Sequence, residues 1–411
     1  MTDLIRIFTL FSVALILVTF TSTFFIWALP YMEACRVEHP WLYLCLPLLT
    51  LFIWWDRKHP QDVLSTREEV RALSRVSPGS RPTTWAAGLK QIFMILGAHL
   101  AGASIGREAV GLQLGGWSAR LRATNGWYFG ACLAAGFAII LGTPFAAAIF
   151  IFESKRWSLS WTDWLGIPLL AWLAYQASLL VGVSHSAFVP FGAVVTELQS
   201  IPVLKLLIFL LSMVILSTAL AFLFLVLVRK VGSRKSPHLS GLILPLVFLS
   251  LVGAVFWYFS GSVEALGLPG LGISILKTLP IAEPALFSIS NHPLMFGGIK
   301  VLLTAAFVGI GLRGGEFTPL LVAGAMVSIG LAALMGLPIA GFLHLGLPLV
   351  WGIASRRPWT SAVIALEIFG FGAWGVLGVL VFALVFAGVR LGDLAFVRLF
   401  KSEAWRHGLY D

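Results

Sequence analysis

Four carboxylates, placed in two matching settings, are the residues of this chain that could do chemistry. Gly106-Arg107-Glu108 opens an apolar, glycine-bearing stretch from Ala109 to Arg120, and Gly314-Gly315-Glu316-Phe317-Thr318-Pro319 opens another that runs to Ala332. Downstream of each, a proline is followed nine residues later by a glutamate, in PFAAAIFIFE (Pro144 to Glu153) and PWTSAVIALE (Pro358 to Glu367). A helix that begins at a glycine-rich turn presents bare N–H groups and the positive end of its dipole, so its first turn attracts anions. A carboxylate at that start can occupy the anion position itself, and on protonation it loses the attraction, leaves, and admits an anion. Glu108 placed this way could couple protons to anions. Taken alone, a Gly-x-Glu could equally be a helix cap paired with Arg107. The repeat argues for function, because ionisable groups inside a membrane are costly and mark working sites.

The second segment predicts a matching helix start, with the Glu316 and Phe317 amides and the Thr318 hydroxyl as donors and Pro319 in the first turn. A capping motif without transport work is the alternative reading there. Glu153 and Glu367 end apolar segments, and the expectation for both is structural: they accept hydrogen bonds from neighbouring backbone or side chains and fasten helices. His99, nine residues before Glu108, reads as a hydrogen-bonded packing residue. No second His, Cys or Asp stands at metal-ligand spacing from it, so no metal and no cofactor are expected. Cys35, Cys45 and Cys132 form no metal or redox spacing and read as small buried hydrophobes.

Those carboxylates must be positioned by membrane helices. The 411 residues are 59% hydrophobic and only 11% charged, where an average soluble domain carries roughly 25% charged residues. Residues 7–29 read as a retained first helix. Several later apolar segments, among them 107–118, 144–153 and 358–370, are too short to cross a hydrocarbon layer that needs roughly 20 helical residues, which predicts broken or re-entrant helices facing protein or a watery cavity. The net charge of +10 could suggest a nucleic-acid partner, but the cations cluster between apolar spans, at 57–81 and at Arg229, Lys230, Arg234 and Lys235. That is the bias of cytoplasmic membrane loops. The expected organisation is one membrane transport domain, 1–411, with repeat halves of about 1–200 and 201–411 sharing one site.

The segments GREAVGLQLGG, LGTPFAAAIFIFE and GGEFTPLL resemble the hallmark segments of the CLC family of anion channels and anion/proton antiporters, over most of the chain. Glu316 and Thr318 in the second motif are similar to the Gly-Gly-Glu-x-Thr-Pro form of the fluoride-exporting CLC-F branch. His99-Leu100, Ser104 to Glu108, Gly270-Leu271-Gly272, Lys300 with Thr304, Glu367-Ile368-Phe369-Gly370 and Gly408-Leu409-Tyr410 look like that branch too. The resemblance implies an all-α, polytopic, inverted-repeat fold and a homodimer with one pore per subunit in a bacterial cell membrane. It makes Glu108 the gating glutamate, with Glu316 as second gating or proton-handling acid. The anion would be held by Gly106, Arg107, Ala109, Glu316, Phe317, Thr318 and Tyr410, although by residue type alone Tyr410 is an interfacial aromatic.

Three departures accompany the likeness. Ala109-Val110 stands where the family has Gly after the gating glutamate. The first-half anion loop belongs within 58–80, yet no glycine occurs between Asp56 and Pro78. Ser154 stands where chloride/proton antiporters carry a second glutamate. The expectation is fluoride/proton antiport, with a chloride channel or chloride/proton antiporter as the alternative. An intramembrane enzyme is disfavoured, because neither an Asp cluster nor a nucleophile with a base is present, and a non-transporting scaffold would leave the buried acids unexplained.

Overall fold

The structure is a computed structural model that describes residues 2–58, 70, 73, 84–122, 126–155, 159–183, 201–232, 239–260, 268, 292–312, 314–337, 345–369 and 376–399. Among the described residues there are 14 α-helices and no strand, as the apolar composition requires in a solvent that offers backbone groups no partner. In chain order these are α1 (Thr2–Glu38), α2 (Leu49–Lys58), α3 (Trp85–Leu100), α4 (Glu108–Arg122), α5 (Gly126–Leu141), α6 (Pro144–Ser154) and α7 (Trp161–Leu180). The second half holds α8 (Val203–Gly232), α9 (Ile243–Tyr258), α10 (Pro293–Ile310), α11 (Phe317–Leu334), α12 (Leu349–Ser355), α13 (Pro358–Phe369) and α14 (Val376–Leu399).

Among the described residues, five segments are long and apolar enough to span a membrane: Phe11–Glu38, Val203–Gly232, Pro293–Ile310, Phe317–Leu334 and Gly378–Ala395. The rest include the short helices that the sequence predicts. α4 has 15 residues and α6 has 11, so they reach about 22 Å and 16 Å at 1.5 Å per residue and stop inside a hydrocarbon layer about 30 Å thick. The ends of such helices need partners from elsewhere in the chain.

For α6 and α13 those partners are each other. Pro144 starts α6 at a position where an N–H would be unsatisfied in any case. The next two amides, of Phe145 and Ala146, donate to the Glu367 carboxylate at 2.9 and 2.7 Å. Pro358 starts α13, and the amides of Trp359 and Thr360 donate to Glu153 at 3.2 and 3.0 Å, joined by the Thr360 hydroxyl. Each helix ends on the acid that caps the other. The structural expectation for Glu153 and Glu367 is thus what the geometry shows, with partners no local reading names. Arg357 adds to the clasp by donating to the Phe150 carbonyl at 3.3 Å and lying over the Phe150 ring at 4.5 Å.

The core is built around α5, which packs against α1, α4, α6 and α7. Two glycines set the closest approach. A Cβ at Gly111 in α4 would strike the Gly136 carbonyl oxygen in α5, and a Cβ at Gly136 would strike that of Gly111. This small-residue contact replaces the hydrophobic drive that is missing between helices in lipid. At the start of α7, Ser160 and Asp163 complete a reciprocal capping box, and the buried Lys155 pairs with Asp163.

Glu367→Ala strips the acceptor from two α6 amides and is expected to lower stability by about 2–4 kcal/mol. Glu367→Gln, which keeps one acceptor oxygen, loses less. Thermal unfolding of the detergent-purified protein checks both, and equal melting temperatures for wild type and Glu367→Ala would refute the clasp's contribution.

Candidate functional site

The two glycine-led segments meet head to head. The Gly106 amide donates to the Gly315 carbonyl at 2.5 Å and the Gly315 amide returns a bond to the Gly106 carbonyl at 2.8 Å, an isolated antiparallel bridge between the turns that start α4 and α11. With the turns locked, the first residue of α4 faces the first turn of α11. The Glu108 carboxylate crosses that gap: Oε1 accepts from the Phe317 amide at 2.6 Å and Oε2 accepts from the Thr318 hydroxyl at 2.7 Å. Glu108 is 2% exposed, Glu316 2% and Thr318 1%.

The missing side chains of Gly106 and Gly315 make the space. A Cβ at either position would overlap the Glu108 carboxylate. A carboxylate out of water is expensive unless its oxygens are hydrogen-bonded, and here it is held by an amide and a hydroxyl at one helix start while standing at the start of another. Both dipoles favour negative charge at that point. Any small anion presented to the Phe317 amide and the Thr318 hydroxyl would meet the same donors. Glu108 and that anion are therefore mutually exclusive.

Glu316 occupies the N-cap position of α11 and makes no side-chain cap to its own helix, which sets it apart from the capping alternative raised by its sequence. It lies within electrostatic range of Glu108. Ala109 and Phe317 are buried beside the two turns, and Arg107 is part-exposed next to Glu108. The structure thus brings Gly106, Arg107, Glu108, Ala109, Glu316, Phe317 and Thr318 into one place. Tyr410 lies outside the described residues, and so does the stretch 58–80 apart from Lys58, Val70 and Leu73.

Several neighbours escape the sequence reading. The Phe317 ring meets Trp351 edge-on at 4.6 Å and Phe137 at 5.6 Å, and Phe137 stacks on Phe150 at 5.0 Å, so a box of four rings lies beneath the first turn of α11. Single aromatics in uniformly apolar helices carry no positional signal. Ser104 and Thr304 join their hydroxyls at 3.1 Å, tying the turn before α4 to α10. The sequence flags Thr304 only through the family likeness.

An all-α membrane protein with broken helices whose starts converge on buried acids is the class that this geometry defines. The sequence profile of the voltage gated chloride channel family matches residues 49–389, and the chain belongs to that family. A protein of Pseudomonas syringae pv. tomato named "Chloride/fluoride channel protein" is 27% identical over 381 residues, covering 85% of this chain and 76% of that one. The fold is similar to that of a CLC-type fluoride/proton antiporter, with TM-score 0.72 and 23% identity over 95% of this chain and 96% of the other. It is also similar to that of a slow cyanobacterial Cl-/H+ antiporter, with TM-score 0.74 and 17% identity over 94% and 93% of the two chains. The chain is an integral membrane protein of an anion-transporting family.

Thr318→Val removes the hydroxyl that Glu108 Oε2 holds, and a loss of about 1–3 kcal/mol in unfolding stability is expected. Gly315→Ala is expected to push the carboxylate out of its seat. Hydrogen exchange at the Phe317 amide reads this directly, and unchanged protection in Gly315→Ala would contradict the steric reading.

Proposed function

We propose that the chain is a fluoride/proton antiporter that exports fluoride, with Glu108 as the protonatable gate. The observation that carries the proposal is the Glu108 carboxylate bonded to the Phe317 amide and the Thr318 hydroxyl at 2.6 and 2.7 Å, a side chain standing where an anion would stand. Ionised, Glu108 fills the donors and blocks passage. Protonated, it forfeits the attraction of the two helix starts, swings away, and yields the donors to a halide. Alternation between the two states exchanges a proton for an anion. Inward proton flow then drives the anion outward.

Fluoride is small and strongly hydrated, so close donors must replace its water. Thr318 supplies a hydroxyl beside the Phe317 amide, and Glu316, in range of Glu108, receives or passes the proton nearer the other side. The Gly-Gly-Glu-Phe-Thr-Pro run supports this choice of anion, and so does a relative whose name includes fluoride. Each subunit of a homodimer in a bacterial inner membrane would hold one such pathway. The tryptophan-lined outer face of α7, with Trp161, Trp164 and Trp172 exposed, supplies an apolar surface suited to lipid or to a second subunit.

A chloride-selective channel or chloride/proton antiporter is the second reading. It is favoured by the absence of any glycine between Asp56 and Pro78, which removes the expected first-half wall of the anion site.

Proteoliposomes loaded with fluoride or chloride separate the two. Wild type is expected to release fluoride faster than chloride and to take up protons as it does so. Glu108→Gln is expected to lose at least about a hundredfold of the proton-coupled flux, the scale set by removing a proton-transfer group. Faster chloride release would favour the second reading, and proton-coupled fluoride flux retained in Glu108→Gln would overturn the gate.

A further inference from the structure

A second polar cluster lies off the gate, around His99. The side chain, in the last turn of α3, is 0% exposed, and among the described residues neither ring nitrogen has a hydrogen-bond partner. Its ring packs edge-on against Phe25 at 6.2 Å, and its backbone carbonyl accepts from Arg36 Nη1 of α1 at 2.6 Å. The expectation of a hydrogen-bonded packing histidine is therefore not met at the ring. A neutral imidazole presents one donor and one acceptor nitrogen, and buried polar groups are nearly always met by protein, water or a bound species.

The charges around the ring point to the kind of species. Among the described residues, the charged side chains that act on His99 are Arg36, Lys300 and Arg107, all of them cations and each from a different element. Lys300, on α10, is 0% exposed and donates to the Leu268 carbonyl at 3.0 Å. One turn further along α10, Thr304 joins Ser104 of the turn that leads to Glu108. Arg107 Nε is a second buried donor without a partner among the described residues. The acids in range of this group, Glu33 and Glu108, act on Arg107. A buried donor in a field of three cations attracts negative charge strongly, because the low-dielectric surroundings screen it little.

We propose that His99 forms a second anion subsite, distinct from the seat of the Glu108 carboxylate, where the imidazole N–H donates to a halide held in the field of Arg36, Arg107 and Lys300. His99 and Lys300 are both 0% exposed, so an ion held between them would be stripped of its water. The choice of halide rests on the transport reading above, whereas the site itself rests on the cation cluster. Placed one short turn from Glu108, the subsite holds an ion in waiting while the carboxylate occupies the gate.

Calorimetric titration of the detergent-purified full chain with chloride or fluoride tests this in a Glu108→Gln background, where the gate seat is open to an anion as well. Adding His99→Leu is expected to remove one bound halide per subunit or weaken it by at least about tenfold, equivalent to about 1.4 kcal/mol. His99→Asn, which keeps an N–H donor, is expected to retain it within about threefold, a recovery that a merely structural role would not produce. Identical stoichiometry and affinity in His99→Leu would overturn the subsite. Should His99→Leu fail to fold, wild-type crystals grown in bromide decide: anomalous scattering within hydrogen-bond reach of the ring supports the subsite, and water or empty density there overturns it. Liposome flux measured with Glu108 intact, in the wild-type chain and in His99→Leu alone, keeps the two claims apart. His99-dependent binding without any halide flux would overturn the transport reading alone, and flux with His99-independent binding would overturn the subsite alone.

Discussion

A carboxylate suspended between the starts of two helices, out of reach of water, is the interaction to which the rest of the molecule is fitted. Burying Glu108 is tolerable only because the Phe317 amide and the Thr318 hydroxyl meet its oxygens. That geometry in turn demands that α4 and α11 begin at membrane depth and point at one another, which is why the Gly106–Gly315 bridge exists and why neither residue can carry a side chain. Helices begun at that depth are short, and short helices leave backbone groups that other parts of the chain must satisfy. The α6–α13 clasp, the glycine contact between α4 and α5 and the Ser104–Thr304 tie all answer needs created by that first placement.

The same chemistry thus serves two ends. Glu153 and Glu367 each take two backbone amides of a helix start, and Glu108 takes one amide and one hydroxyl of another. What differs is the surroundings. The capping pair is wedged between packed helices, with Arg357 and Phe150 closing one side. Glu108 stands at a junction walled by Gly106 and Gly315, with one hydroxyl in place of a second amide. Acceptor type alone does not separate a fastener from a gate.

Much of this was legible in the sequence wherever the backbone imposes a residue type. Broken helices need glycine at the turn and tolerate proline in the first turn, so Gly106, Gly315, Pro144, Pro319 and Pro358 mark their own positions, and the acids beside them stand out against an apolar background. The resemblance of the motifs that contain those marks implies the CLC family and its all-α fold, and the comparisons bear both out. The partners could not be read. Helices buried all round have no polar face, so nothing in the run that contains Phe137, Phe150 or Trp351 says which rings meet. The reciprocity of Glu153 and Glu367 was hidden for a related reason, since a local motif announces that an acceptor exists and not whose donors it takes. His99 packs as expected against Phe25, but its lack of a ring hydrogen bond among the described residues could not be read, because its surroundings come from α1, α10 and the turn before α4, far apart in the chain.

The clasp has a bearing on how the protein is made. While the ribosome is still working on the middle of the chain, the Phe145 and Ala146 amides have no acceptor, because Glu367 has not yet been synthesised. Until the second half arrives, water, headgroups or the insertion machinery must meet those two amides, because an unpaired amide in hydrocarbon is costly. The final caps of both short helices therefore form only once the whole chain between Phe145 and Glu367 exists.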